Sequence, residues 1–224
     1  MKTLVWLLPS RFNDHLLTAL TILLSVLLFV AAPLQANGAI SEHSFGIGFG
    51  IILIPAAFMV SGNRMALGAI VAAITLIVIA SELELGGVPL DYYLDAVAWL
   101  IAGLTLSAVV AHAVFARGEV NYHRIIGGVL LYLTIGSTFV ALFGFIVLLV
   151  PNAFSNQGPI QANFAVSNLI YFSFVTLTTI GYGDIVPLHP YARSLANVEA
   201  IIGQLYPATL LARLVTLELT SRRA

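Results

Sequence analysis

The sequence predicts an all-α membrane protein, six transmembrane helices with a re-entrant helix and loop between the fifth and sixth, and three observations lead there. Of 224 residues, 60% are hydrophobic and only 8% charged, too little charge to solvate a folded surface of this size, so the bilayer is the natural solvent. Apolar runs close to the twenty or so residues that hydrocarbon thickness requires recur six times between charges and turn residues. A further apolar stretch, residues 164–179, is too short to cross a membrane and return, and Gly, Tyr and Asp follow it directly, the pattern of a segment that dips in and comes back on one side.

The elements follow in order. The first run extends from His15 to Ala32 and is closed by Pro33 and the polar Gln35-Ala36-Asn37-Gly38. The second spans Ser44 to Val60, ended by Ser61-Gly62-Asn63-Arg64, and its Gly46-Ile47-Gly48-Phe49-Gly50 suits close helix packing. The third, Met65 to Ala80, is short enough to be tilted or sheltered by neighbours. The fourth, Tyr92 to Phe115, precedes the most hydrophilic stretch of the chain, from Ala116 to Arg124. That stretch marks the best internal boundary: a four-helix domain over 1–116, a cytoplasmic linker over 117–123 and a second domain over 124–224. Within the second domain lie an outer helix at 125–150, stopped by Pro151-Asn152, a re-entrant helix at 166–178, a loop at 179–183 and an inner helix at 192–217.

Charge placement tests this topology independently, because cytoplasmic loops collect Lys and Arg. Six spans put both termini on one side, and then Lys2, Arg11, Arg64, Arg117, Arg124, Arg213, Arg222 and Arg223 fall inside, eight of the nine basic residues, with only Arg193 outside. The opposite loops carry Glu42, Glu82, Glu84, Asp91 and Asp95. A rival reading takes residues 1–39 as a cleaved signal peptide, leaving five spans; the apolar run is long for a signal core. Cysteine is absent, which excludes disulfides and thiol chemistry. The scattered histidines lack metal-ligand spacing, no basic tract suits nucleic acid, and no cluster of catalytic residues sits at membrane depth, so the chain reads as a non-enzyme without cofactors.

The loop after the re-entrant helix carries the chemistry. Rings of backbone carbonyls aimed at one axis replace a cation's hydration shell without a full protein charge. Such a backbone needs residues that tolerate unusual conformations, and Thr179-Ile180-Gly181-Tyr182-Gly183 supplies two glycines. Ile180 and Tyr182 are then expected to face the surrounding protein, and the C-terminal dipole of the preceding helix favours cations.

The stretch Thr176-Leu177-Thr178-Thr179-Ile180-Gly181-Tyr182-Gly183-Asp184 resembles the pore signature of the potassium channel family. The resemblance covers roughly residues 124–219 and implies passive K⁺ conduction by a homotetramer, since one re-entrant loop cannot encircle an ion. It implies that the carbonyls of Thr179, Ile180, Gly181 and Tyr182 and the Thr179 hydroxyl bind K⁺, that Gly183 completes the filter, and that Thr176, Thr178 and Asp184 support it. Many family members brace the filter with an acidic group behind it and aromatic donors from the pore helix. Here Val175 and Phe172 occupy the expected positions, so the bracing is expected to be different or weaker.

Gly203, 19 residues after Asp184, and Pro207 one turn later form a candidate gating hinge in the inner helix, with close packing as the plainer role for Gly203. Glu199, two turns into the same helix, must face protein or water; local pairing is favoured over cation binding. His112 is expected to be packed and neutral. The fourth run has no arginine between Tyr92 and Phe115, so voltage sensing should be weak or absent. Few residues follow the sixth run, leaving the gate to the membrane part or to a regulatory partner. The expected setting is a plasma (inner) membrane, bacterial from the compact loops, with lipid as the surrounding partner. Two alternatives stay open: a weakly selective cation channel and a non-conducting regulatory subunit.

Overall fold

The computed structural model describes residues 10–40, 42–60, 63–82, 90–115, 122–155 and 166–221. Lys2, Glu84, Arg117, Arg222, Arg223 and most of the 117–123 linker lie outside the described residues. The elements are α1 (Ser10–Val26), a π-turn (Leu27–Ala31), α2 (Ala32–Ala36), α3 (Glu42–Val60), α4 (Arg64–Glu82), α5 (Leu90–Phe115), α6 (Tyr122–Leu149), α7 (Val166–Leu177) and α8 (Pro190–Ser221). Among the described residues there is one isolated β-bridge, between Phe154 and Pro187.

The first run does not end at Pro33. Proline lacks an N–H and its ring meets the carbonyl four residues back; the π-turn widens the helix just before it, with the Ala32 N–H reaching Leu27 O, and the rod continues into α2. The true stop is Gly38, whose φ of 72° lets its N–H bond Gln35 O at 2.9 Å and the Ala39 N–H bond Leu34 O at 3.0 Å. Those two bonds satisfy carbonyls that a helix end would otherwise leave bare. At the start of α4, Asn63 Oδ1 accepts the N–H groups of Met65 and Ala66 at 3.1 and 3.3 Å, the usual service of an N-cap asparagine.

Among the described residues, three helices are long and apolar enough to cross a membrane: His15–Ala36, Tyr93–His112 and Ile125–Leu149. Ile47–Phe58, Arg64–Ala80 and Val166–Leu177 are apolar but shorter. The chain is an all-α membrane protein. At about 1.5 Å per residue, the 12 residues of α7 reach little more than half the roughly 30 Å of a hydrocarbon core. α8 has 32 residues, but Arg193, Asn197, Glu199 and Gln204 dilute its apolar character.

α6 is the hub. Among the described residues α5 packs along it most extensively, α1 lies on it, and α7 and α8 contact both it and each other. One continuous apolar core runs from Leu17 and Leu20 in α1 through Trp99 and Leu106 in α5 to Phe143, Phe172 and Ala196. The hydrophilic linker therefore separates two sequence regions without separating two cores. Phe49 stacks on Trp99 at 4.0 Å, tying α3 to α5. His112, expected to be packed, is exposed near the end of α5.

Candidate functional site

α7 is held from behind by two neighbours that approach very closely. Gly136 of α6 meets the Phe174 ring so tightly that an added Cβ would stand 2.7 Å from Cζ. Gly203 of α8 lies directly on Leu177, where a Cβ would collide with the carbonyl oxygen and stand 2.7 Å from the carbonyl carbon. Small residues at these crossings are what allow the helices to touch. Phe172 inserts between Phe143 and Phe154, edge to face at 4.9 and 5.0 Å, so its part is apolar anchorage of α7.

The loop leaving α7 has an alternating backbone. Thr179, Gly181 and Gly183 take φ of 59°, 59° and 81°, and the residues between them do not take positive φ. Alternation between right- and left-handed conformations lines successive N–H groups along one side of the chain, and their carbonyls then fall on the other. The hydrogen bonds agree: the N–H groups of both Ile180 and Gly181 turn back to Val175 O, at 3.0 and 3.3 Å. Thr179 N–H bonds Thr176 O at 2.9 Å, and Thr178 bonds Phe174 O through both its N–H at 3.0 Å and its hydroxyl at 2.6 Å. Glycine takes a positive φ freely, whereas a β-branched threonine there stores about 1–2 kcal/mol of strain. Ile180 and Tyr182 are exposed on the single chain.

Val175 thus serves the loop through its backbone carbonyl, and the aromatic donor is Tyr171, which sequence reasoning passed over in favour of Phe172. Tyr171 Oη donates to Asp184 Oδ1 at 3.0 Å, and its ring lies nearly parallel to Tyr182 at 6.4 Å. The available signal was a polar-tipped aromatic directly beside Phe172 in α7. Behind the loop, Tyr132 of α6 donates to Leu177 O at 3.1 Å.

Beyond Asp184 the chain is fastened to the end of α6. Ser155 N–H bonds Val186 O at 2.9 Å and Leu188 N–H bonds Ala153 O at 2.8 Å, while Val186 N–H bonds Ser155 Oγ at 2.8 Å. α8 then starts at Pro190, a favoured residue at a first helical position, and Arg193 Nε turns back to Pro187 O at 3.0 Å. α8 stays helical through both Gly203 and Pro207. Pro207 sits a turn beyond the Leu177 contact, where Tyr206 Oη donates to Gly128 O of α6 at 2.6 Å.

Residues 127–218 match the family model described as an ion channel. A stretch of 53 residues is 40% identical to the potassium voltage-gated channel protein shk-1 of Caenorhabditis elegans, covering 23% of this chain and 10% of that protein. The chain therefore matches about a tenth of that relative's length. No solved structure matches.

Proposed function

We propose, from the premise that this chain is a potassium channel family member, that it is one subunit of a homotetrameric channel conducting K⁺ passively through a four-fold pore. The observation that carries the reading is the alternation of positive φ at Thr179, Gly181 and Gly183, at the C-terminus of a helix too short to span a membrane. With N–H groups turned back toward Val175, the carbonyls of Thr179, Ile180, Gly181 and Tyr182 face the opposite side. Four such loops around an axis form stacked oxygen rings that replace a K⁺ hydration shell. The negative ends of four α7 helices add to the preference for cations.

In this reading Ile180 and Tyr182 pack on neighbouring copies, and the filter rests on Thr176, Thr178, Asp184, Phe172 and Val175. Gly203 and Pro207 serve as a gating hinge in the inner helix. Residues 1–116 form a transmembrane domain around residues 124–224, six spans in total, in the plasma membrane with both termini cytoplasmic. The brace between Tyr171 and Asp184 favours a selective filter over a loosely discriminating one.

Flux of K⁺ and Na⁺ into liposomes reconstituted with the wild type and with Gly181→Asp tests the reading. The wild type is expected to pass K⁺ well ahead of Na⁺. Gly181→Asp, which forces a side chain onto a backbone at φ 59° and a carboxylate into the loop, is expected to abolish K⁺-selective flux. Equal flux from both proteins would sink the assignment.

A further inference from the structure

Glu199 lies on α8 behind the loop, fully buried. Its Oε1 is 2.6 Å from Ser173 Oγ on α7, and its Oε2 has no hydrogen-bond partner among the described residues. Ser173 Oγ is in turn 3.0 Å from the carbonyl oxygen of Gly136 on α6. The chain Glu199–Ser173–Gly136 joins the three helices that fix the loop, at the crossing where Phe174 presses on Gly136.

Counting protons decides how this chain is wired. A serine hydroxyl has one hydrogen, and a backbone carbonyl has none to give. Were Glu199 a carboxylate, Ser173 would have to choose between two acceptors, and one of the two short contacts would set oxygen against oxygen with no proton between them. A buried carboxylate also needs a compensating cation. Glu199 forms no ion pair among the described residues, and the nearest basic residue along α8, Arg193, is engaged with Pro187 O. If Glu199 carries the proton, both contacts are satisfied in one direction: the carboxylic acid donates to Ser173, and Ser173 donates to Gly136.

We propose that Glu199 acts as a neutral carboxylic acid, a positioning residue that through Ser173 latches the pore helix α7 to the inner and outer helices and so fixes the geometry of the filter. The proposal rests on the filter reading above. It moves the acidic support of the filter from the pore helix, where Val175 stands, to the inner helix that also carries the candidate hinge. A movement of α8 that separates Glu199 from Ser173 then releases α7 from α8, which couples the inner helix to the selectivity of the loop.

The test uses the full chain reconstituted in liposomes, as wild type, Glu199→Gln, Glu199→Leu and Ser173→Ala. Infrared spectroscopy of the wild type is expected to show a protonated-carboxyl C=O stretch that disappears in Glu199→Gln. Bi-ionic reversal potentials are expected to give Glu199→Gln the wild-type preference for K⁺ over Na⁺, because its amide still donates to Ser173. Glu199→Leu and Ser173→Ala are expected to lose about tenfold of that preference, the scale of one buried hydrogen bond. Absence of the carboxyl band overturns the proposal, as does a Gln variant that behaves like Leu, which would mean that the negative charge is what matters. Wild-type selectivity in both Glu199→Leu and Ser173→Ala also overturns it. If Glu199→Leu fails to assemble, Ser173→Ala and the infrared comparison still decide. Should the wild type itself fail to discriminate K⁺, the filter reading falls, while the carboxyl band and the thermal stability of the variants test the latch without any flux.

Discussion

At the residue scale, the loop shows which parts of a site a sequence announces and which it conceals. Gly181 and Gly183 announce their conformation, because glycine is the residue that takes a positive φ without strain, and both do so. Thr179 conceals it: a β-branched residue argues against φ 59°, and only the surrounding bonds to Thr176 and Val175 hold it there. Tyr171 was concealed differently, since nothing in its local sequence says that its hydroxyl reaches a carboxylate 13 residues onward. Glu199 was legible as a residue in need of a partner, but the identity of that partner, Ser173, depends on how α7 crosses α8. The Tyr171 bond leads to a prediction. Tyr171→Phe keeps the ring against Tyr182 and removes the donor to Asp184, an exposed bond. The expected outcome is folded, assembled protein whose K⁺ current runs down several-fold faster under sustained conduction in planar bilayers. Unchanged run-down would show that the bond has no part in holding the filter.

At the scale of elements, the apolar runs overlap α1 and α3 to α8 among the described residues but reach only the first residue of α2, and the differences gather at the ends, where hydrogen bonding rather than apolarity sets the boundary. Pro33 looked like a stop because proline normally ends or kinks a helix, yet a π-turn carried the helix past it to Gly38. The pairing of helices was less legible still, because apolar faces in a membrane protein look alike, and what fixes a crossing is the placement of small residues. Gly203 illustrates this. The sequence offered it as hinge or packing residue, and the structure sets it against the Leu177 carbonyl with no room for a methyl group. Gly203→Ala must therefore push α8 from α7 or distort the end of α7, at a cost of about 1–3 kcal/mol. Gly68→Ala, where a Cβ meets nothing within 4 Å, exchanges a poor helix former for the best one and should gain up to about 1 kcal/mol. Thermal unfolding of the detergent-solubilised variants checks the pair: a lowered midpoint for Gly203→Ala and an unchanged or raised one for Gly68→Ala. A neutral Gly203→Ala would mean that the α7–α8 crossing is loose.

At the scale of the whole molecule, α1 and α5 pack directly on α6 of their own chain, and Phe29, in the π-turn, meets the Phe174 ring edge to face at 5.3 Å. The first helices thus rest on the outer helix and reach α7 itself, sharing one core with it. Mechanical linkage of that kind transmits packing changes, but it does not make a voltage sensor. Moving one elementary charge across the field is worth about 2.3 kcal/mol per 100 mV, roughly fiftyfold in an open–closed equilibrium, and steep gating needs several such charges per subunit. α5, from Leu90 to Phe115, has neither lysine nor arginine, and its acidic and histidine residues are Asp91, Asp95 and His112. The relative from Caenorhabditis elegans is named as voltage-gated; under the proposed function, this chain is expected to lack such a gate. In planar bilayers with symmetric K⁺, open probability is expected to change by less than about threefold per 100 mV, well under the response to one charge. A steep rise on depolarisation from the purified protein would require charge movement elsewhere in the molecule, and would make the first four helices a sensor in spite of α5.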